Sequence, residues 1–298
     1  MTQREAKDLI DLETELSLRI VPAGQAAWDS TKLKATAHTK ASRNSEMDLS
    51  PSDLGDGLSS ESQSEEETCP DKELVAAIMK RRAPPPLITT AVWEQYYFAD
   101  CEIKIKESTE FYGAVVWPSA LVLCHFLETN QDKYNLADKN LIEIGAGTGL
   151  VSIVTSILGA RVVSTDMPEV LGNLRYNLTR NTRDRCRHEP VVKELTWGVD
   201  LEEKFPRSST HFHYIMAADV VYSHPFLEEL LATFDHLCED NTVIFWTMRF
   251  RFDKENKFVD RFQTLFDLEL IYDLPSMKIK LYKAMRRRKV GTETNRVE

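Results

Sequence analysis

A turn punctuated by glycines, set between an apolar strand and an apolar helix, constrains this chain more than any other stretch. In LIEIGAGTGL, from Leu141 to Leu150, the residues Leu141, Ile142 and Ile144 supply a strand-like apolar run. Val151, Ile153, Val154, Ile157 and Leu158 then recur at helical spacing. Between them stand Gly145, Gly147 and Gly149. Glycines at such a turn let the backbone take positive φ and let a ligand approach the main chain without meeting a Cβ. Strand, turn and helix in that order predict an α/β fold with a ligand site at the strand's carboxyl end.

Spacing narrows the choice of ligand. A dinucleotide fingerprint would need glycine where Leu150 stands, and the GK[ST] of a P-loop is absent. The pattern present is Glu143-x-Gly145-x-Gly147-x-Gly149, followed by a second strand, RVVSTD, that ends in Asp166. A carboxylate at that point suits the two hydroxyls of an adenosine ribose.

Further along, helices and strands alternate. Helices are expected at 169–180, 226–237 and 254–266, and strands at 191–195, 214–218, 243–247, 268–272 and 278–282. Such alternation predicts a doubly wound, Rossmann-like sheet that is mostly parallel, and the closing strand pair predicts an antiparallel C-terminal edge. Ahead of the glycine turn, residues 91–108 alternate around Ala99-Asp100 as a hairpin would. Within it Tyr96, Tyr97 and Phe98 read as an aromatic strand packed on a core. Pro118 fits the first turn of a helix at 119–127, which puts Trp117 at the helix entrance.

Residues 1–84 differ in kind. Residues 1–80 hold 9 Lys or Arg against 16 Asp or Glu, within a chain of net charge −10. The serine-rich acidic stretch from Ser50 to Thr68 has almost nothing to bury, so disorder is expected, with short helical pieces at 6–18 and 72–82. Pro84-Pro85-Pro86 marks the expected boundary between an extension, 1–84, and a domain, 85–298. No apolar run approaches the ~18 residues of a membrane span, and no basic surplus marks a nucleic-acid binder. The charged N-terminus resembles neither a signal nor a transit peptide, so a cytoplasmic or nuclear protein is expected. Cys69, Cys101, Cys124, Cys186 and Cys238 are scattered without CxxC pairs, which predicts reduced thiols and no metal site. Arg286-Arg287-Arg288-Lys289 reads as a solvated tail, with a nuclear signal as the second reading.

The segments YGAVVWP, EIGAGTG, TD, VVKELTWG and AADVVY follow one another over residues 91–283. Together they resemble the methyltransferase-like 21 subgroup of the class I, seven-strand protein-lysine methyltransferases. The resemblance implies S-adenosylmethionine as cofactor, held by Trp117, Glu143, Gly145, Ala146, Gly147, Asp166, Trp197 and Ala218. It also implies Asp219 and Tyr222, of the acid-x-x-aromatic motif Asp219-Val220-Val221-Tyr222, as the catalytic pair, in a monomer acting on a protein. Chaperones, AAA-type ATPases and translation factors are the substrate classes it suggests. Physical chemistry supports these roles separately: tryptophan faces suit an adenine and a sulfonium, and a carboxylate with a phenol can orient an amine. Two alternatives stay open, transfer to another acceptor and a scaffold without turnover. Asp219 has a further reading as a cap for the helix that follows, and His224 is a base by proximity or a surface histidine at a helix start.

Overall fold

The computed structural model describes residues 71–83, 93–107, 115–222, 224–250 and 253–288. The chain divides into two compact units, 1–68 and 69–298. The expected disorder of Ser50 to Thr68 and the helix expected at 6–18 lie outside the described residues.

The elements are, in order, α1 (Lys72–Met79), β1 (Trp93–Phe98), β2 (Cys101–Lys106), α2 (Pro118–Thr129), β3 (Asn140–Ile144), α3 (Leu150–Ile157), β4 (Arg161–Asp166), α4 (Leu171–Thr182) and β5 (Val191–Glu194). They continue with α5 (Leu201–Lys204), β6 (Tyr214–Ala218), α6 (Leu227–Leu237), β7 (Val243–Arg249), α7 (Asp253–Phe262), β8 (Phe266–Leu274) and β9 (Ile279–Arg286). Seven strands form one sheet in the order β5-β4-β3-β6-β7-β9-β8. The neighbours from β5 to β7 are parallel, whereas β9 runs antiparallel to both β7 and β8. The expected α/β sheet with an antiparallel C-terminal margin is present, and β9 is inserted one place inside the edge.

Burial explains the layers. Parallel strands covered on both faces are apolar nearly throughout, and β3 and β7 show this pattern. On one face α2, α3 and α4 deliver Leu123, Val154 and Leu178 to a first core cluster. On the other, Phe234 of α6 and Phe262 of α7 pack on Trp246 and Ile215 in a second. Strand order reverses between β3 and β6, and ligands of open α/β sheets bind beyond the carboxyl ends of strands at such a point. The glycine turn leaves β3 there, and Asp219 leaves β6 beside it.

β1 and β2 form a separate two-stranded sheet. Their turn residues Ala99 and Asp100 have φ of 51° and 56°, the paired left-handed geometry that matches strand twist in a two-residue hairpin. Asn177 and Asn181, one turn apart on α4, then act as a substitute third strand. Each accepts a backbone N–H, from Lys106 and Lys104 respectively, and each donates its amide to the same residue's carbonyl. The hairpin edge is thereby satisfied by side chains. Tyr96 and Phe98 enter the core as expected, while Tyr97 is 47% exposed.

Two expectations are corrected. The boundary placed at residue 84 falls too late, because the helix before the prolines packs into the same core as the residues after them. Ile78 is 0% exposed, and Asp71 accepts hydrogen bonds from both the N–H and the hydroxyl of Ser276. Arg81 pairs with Glu128, and Tyr97 donates its N–H to the Arg81 carbonyl. The basic run is also no free tail at its start. Arg286 lies in β9 and bonds Asp235 and the Cys238 carbonyl, and Arg287 pairs with Asp267.

Ile78→Ala is therefore expected to lower the stability of the domain by about 2–5 kcal/mol. Denaturant unfolding checks it, and an unchanged midpoint would return α1 to the extension.

Candidate active site

The site begins where β3 stops. Gly145, Gly147 and Gly149 all have positive φ, at 65°, 56° and 87°. Gly149 is glycine for packing, since a Cβ there would lie 2.3 Å from Leu178 Cδ1 and 2.7 Å from Leu174 Cδ1. The turn is tied to the end of β4. Ala146 donates its N–H to the Thr165 carbonyl at 2.9 Å, and Gly147 donates to Asp166 Oδ2 at 2.7 Å. Asp166 Oδ1 accepts the N–H of Met167 at 2.7 Å. Each oxygen of Asp166 thus takes one backbone donor and keeps a second acceptor position for a ligand hydroxyl. Burial pushes its carboxyl up to about 6, against the pull of those two amides.

Glu143 works from inside the same turn. It is 2% exposed and accepts from the Ser152 hydroxyl on α3, and Ser152 also bonds Ser164 on β4. Its carboxyl joins β3, α3 and β4 behind the turn and offers the crevice almost no surface. Burial pushes it up to about 8, opposed by the Ser152 bond.

The third strand end, β6, approaches the turn closely. A Cβ on Gly145 would sit 2.9 Å from Val220 Cγ1 and 3.4 Å from Trp197 Cζ2. The glycine turn, the Trp197 ring and the segment after Ala218 are consequently neighbours. Asp219 has a φ of 58°, left-handed geometry that Asp and Asn tolerate best among residues with a side chain. Its N–H donates to the Thr247 carbonyl at 2.8 Å, and its Oδ1 lies 3.3 Å from the Arg249 N–H. The helix-cap reading of Asp219 fails, because α6 starts at Leu227 with Phe226 at its cap. Thr247 also donates its hydroxyl to the Ser119 carbonyl at 3.1 Å. That bond fastens the start of α2 to the same strand end, and Trp117 caps α2 in the extended geometry that the following Pro118 imposes.

Trp117, Trp197, Ala218 and Tyr222 are all partly exposed, as a cleft wall must be. Tyr222 meets His224 edge to face at 4.4 Å between ring centres, and His224 lies 5.1 Å from Trp197. Thr247 was missed in the sequence, although a polar residue closing an apolar strand at the carboxyl end is the signal that points to it. The hollow lined by Phe212, Cys238 and Arg286 lies ahead of β6 and β7, at the other end of the sheet. Among the described residues no cluster of His, Cys, Asp and Glu could hold a metal.

Comparison with known proteins settles the family. Residues 98–265 match the family model described as lysine methyltransferase. The Protein-lysine methyltransferase METTL21E of Mus musculus is 65% identical over 217 residues, covering 73% of this chain and 89% of that one. The chain belongs to the lysine methyltransferases. Its place is in the methyltransferase-like 21 group. Protein N-lysine methyltransferase METTL21A of Mus musculus is 36% identical over 64% of this chain and 87% of its own. EEF1A lysine methyltransferase 3 of Xenopus tropicalis is 33% identical over 67% and 89%. This lysine methyltransferase takes its methyl group from S-adenosylmethionine. The residues present fit that donor: an acidic acceptor with positions to spare, two half-buried indoles, and a turn in which glycine stands at every second position.

Glu143 makes the fold pH-dependent in a definite direction. Its carboxyl titrates near 8 in the folded enzyme against 4.5 in a free chain, so its stabilising protonation is complete below 4.5 and is lost as pH rises through 8. Across that window the wild type is expected to lose up to about 1.4 kcal/mol per pH unit relative to Glu143→Gln. Urea unfolding of both proteins at several pH values checks it, and parallel profiles would show the carboxyl already ionised at neutrality.

Proposed function

We propose that this enzyme transfers the methyl group of S-adenosylmethionine to the ε-amine of a lysine in a protein substrate, at the crevice between β3 and β6. One observation carries the reading: the close approach of Gly145 to both Trp197 and Val220, which brings the cofactor motifs and the Asp219 segment to one point. Family membership supports the reaction class.

The donor supplies an electrophilic methyl on a sulfonium. Asp166 accepts the ribose hydroxyls, and the backbone of Gly145-Ala146-Gly147 with Ala218 admits the amino-acid portion. Trp117 and Trp197 present ring faces to the adenine and to the positive charge. On the acceptor side, Asp219 and Tyr222 hold the lysine nitrogen in line with the methyl carbon. The amine lone pair forms the new N–C bond as the S–C bond breaks, and water takes the amine's proton. A lysine of pKa ~10.4 is neutral in only about one molecule in 2500 at pH 7, a deficit of about 4.6 kcal/mol. A carboxylate oriented by the Arg249 amide positions the neutral amine when it forms.

The name of one relative supports a choice of substrate to test first. EEF1A stands in the name of one of them, so a translation elongation factor is the first protein to test, ahead of chaperones and AAA-type ATPases. Such substrates match a monomeric enzyme of the cytoplasm. Incubating it with labelled S-adenosylmethionine and a cell lysate, then locating the label by mass spectrometry, tests the assignment. Methylated lysine is expected, and label on arginine, histidine or nucleic acid would overturn it.

Asp166→Ala is expected to weaken S-adenosylhomocysteine roughly ten- to a hundred-fold, about 1.5–3 kcal/mol, because it removes the hydroxyl acceptor and frees the Gly147 amide. Calorimetric titration giving wild-type affinity would move the cofactor elsewhere. Asp219→Asn and Tyr222→Phe are expected to fold and bind cofactor while turnover falls about 30- to 1000-fold, or ~2–4 kcal/mol. Asparagine tolerates the φ of 58° at that position, so the fold is retained. Rates within a factor of about two of wild type for both variants would remove this pair from the reaction.

A further inference from the structure

We propose that His224 is a positioning residue for methyl transfer: its neutral ring staples the loop after Asp219 into the shape that holds Tyr222 against the acceptor, while the ring itself packs on Trp197. The inference rests on the site assignment just made and adds to it the device that keeps the two walls of the cleft in register.

The hydrogen bonds of His224 fix its chemical state. Nε2 lies 3.0 Å from the Val220 carbonyl oxygen. A carbonyl only accepts, so Nε2 carries the proton. Nδ1 lies 3.1 Å from the Phe226 backbone nitrogen. A backbone N–H only donates, so Nδ1 offers its lone pair. One tautomer satisfies both partners, the neutral ring protonated at Nε2. Burial agrees with this, lowering the imidazole pKa against the opposing effects of the Val220 carbonyl and Glu229. With both nitrogens engaged by backbone, His224 has no lone pair for a substrate proton, and the reading of it as a general base falls.

What the ring does is mechanical. Its two bonds reach back to Val220 and forward to Phe226, and the His224 N–H donates to the Tyr222 carbonyl at 2.8 Å. Three bonds therefore hold the chain on either side of Tyr222. Across the ring faces lie Tyr222 at 4.4 Å, Trp197 at 5.1 Å and Phe226 at 6.2 Å between centres. His224 touches both the proposed acceptor wall and the proposed cofactor wall. No other residue type offers a flat ring with a donor on one edge and an acceptor on the other. Phenylalanine keeps the contacts and loses the staple, and asparagine keeps a short acceptor for Phe226 and loses the ring.

The test is a double-mutant cycle in the full chain. His224→Phe, Tyr222→Phe and the double variant are compared by label transfer from S-adenosylmethionine into lysate protein, by calorimetric binding of S-adenosylhomocysteine, and by thermal melting. His224→Phe is expected to bind cofactor within about threefold of wild type while turnover falls about tenfold or more. In the Tyr222→Phe background, His224→Phe should cost less than about a further twofold, because both changes disable one unit. A purely structural histidine would give multiplying losses with a matching fall in melting temperature. Such multiplication, or turnover of His224→Phe within about twofold of wild type, would overturn the proposal. If Tyr222→Phe alone leaves turnover unchanged, the site assignment fails and this inference with it. If instead Tyr222→Phe is slow and His224→Phe is not, only the staple fails. Should His224→Phe not fold, His224→Asn replaces it in the cycle, with the same criterion of non-multiplying losses.

Discussion

The hydrogen bond from the Gly147 amide to Asp166 is the contact on which the rest of the site depends. It ties the turn after one strand to the side chain of the last residue of the neighbouring strand. Everything else around the turn serves to keep that geometry. Ser152 and Ser164 brace it from behind through Glu143, and Leu174 and Leu178 press against Gly149 where any side chain would collide. The arrangement places two raised carboxyls in one region, because burial disfavours the charge of each and no cation among the described residues pairs with either. A bound polyhydroxyl ligand completes what the protein leaves unfinished, and that is why such a costly environment is compatible with a folded domain.

The same logic organises the acceptor side. Asp219 occupies a left-handed conformation at the end of β6, held by the backbone of β7 at both its N–H and its carboxylate. A left-handed residue with a side chain costs on the order of 1 kcal/mol. Here the cost turns the chain sharply out of the sheet, and the loop that follows, with Tyr222 and His224, lies back toward Trp197. Thr247 adds the link to α2, so two strand ends and one helix start share one set of hydrogen bonds.

Much of this was legible in the sequence because the signals are local. Glycine spacing, apolar runs ending in an acid, and alternating residues about Ala99-Asp100 each announce their structure within a dozen residues. What stayed hidden was set by contacts far apart along the chain. Nothing within Lys72 to Met79 shows that Ile78 will be buried, since its partners come from elements after the prolines. Arg286 and Arg287 read as a tail because their acids, Asp235 and Asp267, stand at a distance. The motif puts Glu143 among the cofactor residues, and the structure puts it behind the glycine turn. Its direction, inward to Ser152, follows from a strand buried on both faces and has no mark in the pattern. His224 was weighed as a base or a surface residue because sequence names the ring but not the two backbone groups that settle its tautomer.

The strand order has a consequence for how the protein comes into being. β7 is buried throughout its centre, with Ile244, Phe245, Trp246 and Met248 at 0% exposure, yet one of its hydrogen-bonding edges waits for β9. β8, made earlier, reaches the sheet only through β9. During synthesis this largely apolar strand therefore stays open on one side while β8 has no place to dock, until Ile279 to Arg286 slides between them. An unpaired apolar edge is a template for any passing chain. A message cut short between Leu274 and Ile279 would yield a product that keeps every residue proposed for cofactor and catalysis and still cannot close its own sheet, and such a product is a client for chaperones rather than a weak enzyme.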